Sequence, residues 1–213
     1  MEFLPDLTTF ITFTVAVWVL AITPGPDMTI SIARALSDGK AGGAMVVLGT
    51  STGLVVHTFL VALGVSALIL ASPTAFLVLK TGGAGYLVWL AIQAIRKGSS
   101  LTVKRAEGPA NSAAKNYLSG LWVNLLNPKV IIFFMTFLPQ FVTANDPHVT
   151  GKLIFLGLWA IVMGMPVNLA IVLVAERLSV WLKRNRGILR GIDYTFAGVF
   201  SLFAVKILMT QAK

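Results

Sequence analysis

The chain has 213 residues, 56% of them hydrophobic and 12% charged, with a mean hydropathy of +0.85. A water-soluble domain carries about twice that charged fraction, so composition excludes an ordinary soluble enzyme or binding module and points to one integral membrane domain. The absence of cysteine excludes disulfides and thiolate metal sites.

At the N-terminus, Glu2 and Asp6 stand where a secretory signal would be basic. A span needs roughly 20 apolar residues, and six candidates follow, at about 7–33, 42–70, 73–95, 116–141, 151–176 and 188–210. Backbone polar groups in lipid must be bonded internally, so these are expected to be helices. The expected fold is an all-α integral membrane protein of six transmembrane helices.

The first candidate contains TPGPD, residues 23–27. A proline removes the amide that would bond the carbonyl four residues earlier. Pro24 therefore frees the carbonyl of Leu20, and Pro26 that of Ile22. The residue before a proline is pushed towards extended geometry, so Thr23 and Gly25 predict an unwound stretch. A new helix is expected to start beyond it, with Asp27 in its first turn, where free N–H groups favour negative charge.

The second candidate carries GTSTG (49–53), whose small-xxx-small spacing predicts close helix packing. It also carries His57, read either as a buried histidine bonded to backbone or as a proton or substrate ligand. The third contains GGAG (82–85), which lacks the context of a phosphate loop and reads as packing.

The polar stretch 98–115 reads as a basic cytoplasmic linker. It separates a first three-helix unit, 1–97, from a second, 116–213. Three spans per half place the halves in opposite orientations, the arithmetic of an inverted repeat. GYLVWLAIQAI (85–95) and GVFSLFAVKIL (198–208) form a faint internal echo.

The fourth candidate contains NLLNPK, residues 124–129. Pro128 frees the carbonyl of Asn124 and predicts a kink. Each half thus has an interruption in its first span, so helices 1 and 4 are the broken ones. Interrupted spans at matching positions are a pointer to a transporter's binding site. If Pro26 and Pro128 correspond, so do Asp27 and Lys129, and these are expected to pair or lie close. Asn124, one turn earlier, bonds across helices or contacts substrate. Asn168, after Pro166, marks either a simple kink, the favoured reading, or a third opening, and Asp193 is expected to pair near the interface with Arg190.

Twelve of the 17 basic residues fall on alternate connections: Arg34 and Lys40; Arg96, Lys97, Lys104, Arg105 and Lys115; Arg177, Lys183, Arg184, Arg186 and Arg190. The positive-inside rule makes these connections cytoplasmic and puts both termini outside. The formal charge of +9 is thereby read as topology and lipid contact, with no nucleic-acid partner.

A freed carbonyl or Asp27 suits an ammonium, and a helix N-terminus or Lys129 suits a carboxylate. Together they suit a zwitterion such as an amino acid. A carboxylate withdrawn from water is also a natural proton carrier. No nucleophile, metal-ligand cluster or cofactor motif accompanies these groups, so no catalytic residue, metal or cofactor is expected. A membrane-embedded enzyme using Asp27, His57 and Asp193, and a passive channel, are the alternatives.

The segments ITPGPDM, LGTSTGLVVHTFLVALGVSALI, GGAGYLVWLAIQAI and GLWVNLLNPKVIIFFMTFLPQFV resemble the LysE/RhtB family of amino-acid exporters, over about residues 5–210. The resemblance implies a multi-pass transporter of the bacterial cytoplasmic membrane. It would move homoserine-, threonine-, lysine- or cysteine-like amino acids outward by proton antiport, with a homodimer plausible. By position it marks Pro24, Gly25, Pro26 and Asp27, then Asn127, Pro128 and Lys129, and His57. Metal-ion efflux, seen among remote relatives, is a distant alternative, because the chain lacks His-rich or acidic loops.

Overall fold

The computed structural model describes residues 5–97, 110–143 and 146–211. Most of the expected linker, with Lys104 and Arg105, lies outside the described residues. Helices α1 (Leu7–Ile22), α2 (Pro26–Ala71), α3 (Pro73–Lys97), α4 (Ala113–Leu125), α5 (Pro128–Phe137), α6 (Val149–Leu173), α7 (Ala175–Arg184) and α8 (Arg186–Gln211) follow in order. A 3-10 turn, Leu138–Phe141, extends α5. There is no strand among the described residues.

Caps set the helix starts. Asp6 accepts from Thr9 N–H at 3.0 Å and starts α1; its hydrogen bonds to Thr9 hold its carboxyl below the usual carboxylate range. Ser112 does the same for α4 through Lys115 N–H at 3.3 Å. At about 1.5 Å per residue, the 46 residues of α2 would run about 69 Å, more than twice the roughly 30 Å hydrocarbon layer. The helix is divided by Gly39, at φ 79° and ψ 174°. This left-handed conformation is open to glycine without a side-chain clash. The sequence reading expects a loop between spans 1 and 2; one residue makes the turn.

Three helices are long and apolar enough to cross a bilayer: α2, α3 and α6. The α4–α5 pair passes as one span bent by 53°. The described residues thus give three to four candidate spans where six are expected from the sequence. Leu60, Leu63, Leu70 and Trp122 are among many large apolar side chains left on the outside, as a lipid-facing surface requires.

Glycine sets how closely the helices cross. A Cβ at Gly49 would lie 2.0 Å from the Tyr117 carbonyl oxygen, and one at Gly120 would lie 2.2 Å from that of Val46. The GTSTG segment therefore packs α2 backbone to backbone on α4, as its spacing predicts. Gly157 receives the Thr58 side chain, and Gly83 of GGAG receives Thr136.

These contacts also give direction. Gly42 meets Asn116 and Gly53 meets Asn124, so α2 beyond Gly39 and α4 run parallel. Gly43 meets Val172, Thr58 meets Gly157 and Ser66 bonds Thr150, so α2 and α6 run antiparallel. Gly83 on Thr136 and the Gln140 Nε2 bond to the Lys80 carbonyl make α3 antiparallel to α5. Phe196 near Lys129 and Phe200 on Phe133 and Phe137 make α8 parallel to α5. The basic connections consequently gather at one end of the bundle.

Two apolar clusters fill the interior. One is built on Phe13, Phe133, Phe134, Phe137 and Phe200. The other, nearer the basic end, holds Met28, Ile32, Ala35, Val47 and Val172.

Candidate functional site

Both proline interruptions are breaks. Thr23 (φ −76°, ψ 118°) and Gly25 (φ −157°, ψ −178°) are extended, as expected. At the second, Leu126 and Asn127 leave the helix and Asn127 is extended at ψ 108°. Pro128 by itself predicts a kink; with Leu126 and Asn127 out of the helix, the chain stops and restarts, in line with a broken fourth span. Each restart has the same form. Pro26 and Pro128 take the first helical position, where a missing N–H costs nothing, and Asp27 and Lys129 take the second.

The carbonyls that the prolines release are largely rebonded. Thr23 N–H donates to Val19 and Leu20 oxygens at 3.1 and 3.2 Å, so the Leu20 carbonyl expected to be open is taken. The Asn124 carbonyl accepts from Asn127 N–H at 3.0 Å, and His57 Nε2 lies 3.3 Å from it. Buried backbone groups rarely stay unpaired, and here the nearest donors close the gap.

A cavity of about 100 Å3 lies where the two apolar clusters meet. Asp27, Asn124, Asn127, Lys129, Thr23 and Gly25 line it. Asn124 Nδ2 donates to Asp27 Oδ2 at 2.8 Å, and Asn127 Nδ2 donates to Oδ1 at 3.0 Å. Asn127 works at both ends: its Oδ1 accepts from Lys129 N–H at 3.0 Å and caps α5. Lys129 Nζ donates to the Thr23 carbonyl at 3.0 Å and lies 5.6 Å from the Phe196 ring centre. The acid and the amine, expected to pair or lie close, share one cavity wall, each held by other groups: two amides for Asp27, a broken-helix carbonyl for Lys129.

His57 is buried behind this wall, against Phe134 and the Asn124 carbonyl, and does not line the cavity. Ser31, Thr50 and Ser51 do line it; the sequence reading gives Ser31 no role and takes Thr50 and Ser51, within GTSTG, as packing residues. Ser31 and Thr50 bond back to their own helix, to the Met28 and Val47 carbonyls, a common habit of helical hydroxyls that leaves no sequence signal. Asn168 reaches the cavity too, from a helix that continues unbroken through Pro166; its Nδ2 donates to the Gly164 carbonyl at 3.0 Å. Among the described residues, no group of three His, Cys, Asp or Glu side chains is placed to hold a metal ion.

A second buried carboxylate sits further along α2. Asp38 Oδ2 accepts from Asn116 Nδ2 at 2.9 Å and lies 3.6 Å from the Arg34 guanidinium.

The model of the LysE type translocator family matches residues 18–211. The chain is 31% identical to the homoserine/homoserine lactone efflux protein of Salmonella typhi over 184 residues, 86% of this chain and 88% of that protein. It is 30% identical to the protein of the same description from Salmonella typhimurium, with the same coverage. An uncharacterized membrane protein of Vibrio cholerae is 29% identical over 92% of this chain and 94% of its own length. No solved structure matches the chain.

Proposed function

The chain belongs to the LysE type translocator family of multi-pass membrane proteins, and from that premise we propose that it exports small amino acids of the homoserine class from the bacterial cytoplasm in exchange for protons. One observation carries the reading: Asp27 and Lys129 occupy matching positions after two helix breaks and face the same cavity. An arriving zwitterion offers an ammonium that competes with the asparagines for Asp27. Its carboxylate competes with the Thr23 carbonyl for Lys129. Loading then releases bonds that hold the two broken spans together, which couples binding to movement. When the ammonium leaves on the outside, a proton takes its place on Asp27 for the return, and it is given up to the cytoplasm as the next ammonium arrives. A buried carboxylate left without cation or proton is costly in lipid, so return without a proton is disfavoured.

The same reading holds the chain as six spans in two inverted repeats, 1–97 and 116–213, joined by 98–115, in the inner membrane. Gathering of the basic connections at one end supports that end as cytoplasmic, with the termini outside. A homodimer belongs to the same reading.

The test uses everted membrane vesicles with an acid lumen. We expect labelled L-homoserine to accumulate inside, and lumenal pH to rise as it does, and a protonophore to abolish both. Gradient-independent flux would make the protein a channel. Chemically altered solute that needs no sealed membrane would make it an enzyme.

A further inference from the structure

A second, larger cavity of about 650 Å3 adjoins the first and extends from the first helix break towards Ala33, Gln93 and Ala94. Thr23, Gly25 and Lys129 line both cavities and form the partition between them. The larger one takes Thr29 from α2, Gln93 from α3, and Asp193 and Phe196 from α8. Gln93 stands one turn before the end of α3, and Asp193 one turn after Arg190, so the space is a vestibule at the basic end. Its two charges have opposite sign. The Asp193 carboxylate is buried in the wall, and the Lys129 ammonium is close enough to feel both Asp27 and Asp193.

Size separates the two spaces. Small-molecule sites occupy about 300–1,000 Å3. The vestibule is in that range, and the central cavity, at about 100 Å3, holds only a few waters. In this conformation the room for a solute lies outside the Lys129 partition. Its wall carries a carboxylate, an ammonium and a primary amide, groups that suit a polar solute better than lipid chains.

We propose that this vestibule is a first subsite for a zwitterionic α-amino acid, with its ammonium at Asp193 and Gln93 and its carboxylate at Lys129, and that drawing Lys129 off the Thr23 carbonyl opens the way to Asp27. The proposal rests on the exporter reading. Lys129 then serves two sites in turn, holding the carboxylate first on the vestibule side and then on the central side.

The absence of native cysteine makes a clean test possible. Ala33→Cys and Ala94→Cys each place one thiol in the vestibule wall. Everted vesicles are treated with a cationic, membrane-impermeant methanethiosulfonate. We expect labelling from the cytoplasmic face, slowed at least about fivefold by a mixture of L-homoserine, L-threonine and L-lysine at several times the binding constant. Adding Asp193→Asn should weaken that protection about tenfold or more, the scale of one charged hydrogen bond. Adding Asp27→Asn should leave it intact while transport stops. Should Asp193→Asn fail to insert, Gln93→Leu takes its place with a smaller loss expected. Thiols that do not react because lipid fills the space, or that react equally fast with and without the amino acids in vesicles that transport them, overturn the subsite and leave the exporter reading standing. Protection in sealed vesicles that accumulate none of the three upholds the site and sinks the exporter reading.

Discussion

Asp27 and Asp38 lie on one helix, and each receives an amide from an asparagine of α4: Asn124 at 2.8 Å and Asn116 at 2.9 Å. Each asparagine is pressed against a glycine of α2. A Cβ at Gly53 would come within 2.4 Å of Asn124 Oδ1, and one at Gly42 within 2.9 Å of Asn116 Nδ2. The two seats differ in their cations and in their space. Asp38 has Arg34 one turn away on its own helix, at 3.6 Å. Asp27 has Lys129 across a break, tied to a carbonyl, and a cavity in front of it. The same asparagine–glycine joint therefore serves two ends. Where the countercharge is on the same helix, the joint locks packing. Where the countercharge sits on another restart and can be drawn away, the joint presents a carboxylate that can change partners.

The sharpest way to break this contrast is to neutralise each acid in turn. Asp27→Asn should reduce gradient-driven homoserine uptake about a hundredfold or more. Losing charged hydrogen bonds worth about 3 kcal/mol corresponds to about that factor in rate. Asp38→Asn should stay within about threefold of wild type in uptake and show its loss in thermal unfolding in detergent, as a structural charged hydrogen bond does. Equal transport defects would mean that both seats belong to the moving parts.

The glycines give a smaller effect with the same logic. Gly53→Ala and Gly42→Ala should each cost about 1–3 kcal/mol from overpacking. Only Gly53→Ala should also slow uptake, because the added methyl displaces Asn124 from Asp27. Gly64→Ala, with nothing within 4 Å, should leave both stability and uptake near wild type.

Much of this was legible before any coordinates. Pro24, Pro26 and Pro128 announce the interruptions, because loss of an amide and the steric push on the preceding residue are local effects. GTSTG announces close packing for the same reason. Basic residues on alternate connections anticipate their gathering at one end. What local chemistry could not reveal is which groups would meet. Lys129 looked like the natural partner of Asp27 by charge, yet neutral amides from Asn124 and Asn127 reach it, since donors are chosen by how α4 docks. The Leu20 and Asn124 carbonyls looked open by hydrogen-bond counting, yet the unwound backbone turns its own N–H groups back onto them. Gly39 sits in a polar stretch that reads as a loop, and only the path of α2 shows that a single left-handed residue suffices. Asp193 is expected near Arg190 at the interface; that it also lines one space with Lys129 depends on α8 running parallel to α5.

The smallest expected effect tests the cations. Arg34 is partly exposed and pairs within a single helix with the buried Asp38; a pair with one exposed and one buried member falls at the upper end of the surface range, about 1 kcal/mol. Arg34→Gln should therefore lower stability by about that amount, with uptake unchanged, because Asn116 continues to hold Asp38. The difference should shrink at high salt, which screens exposed pairs. Lys129→Gln is its counterpart at the other seat and should not behave this way. Glutamine can still donate to the Thr23 carbonyl, so the fold should survive, but the charge that receives a substrate carboxylate is gone. Uptake should fall while the residual activity shows little salt dependence, since the lost interaction lies in a buried wall. If Arg34→Gln instead matched Lys129→Gln in uptake, the basic end of α2 would be part of the transport path, and the division between a locking carboxylate and a partner-changing one would have to be abandoned.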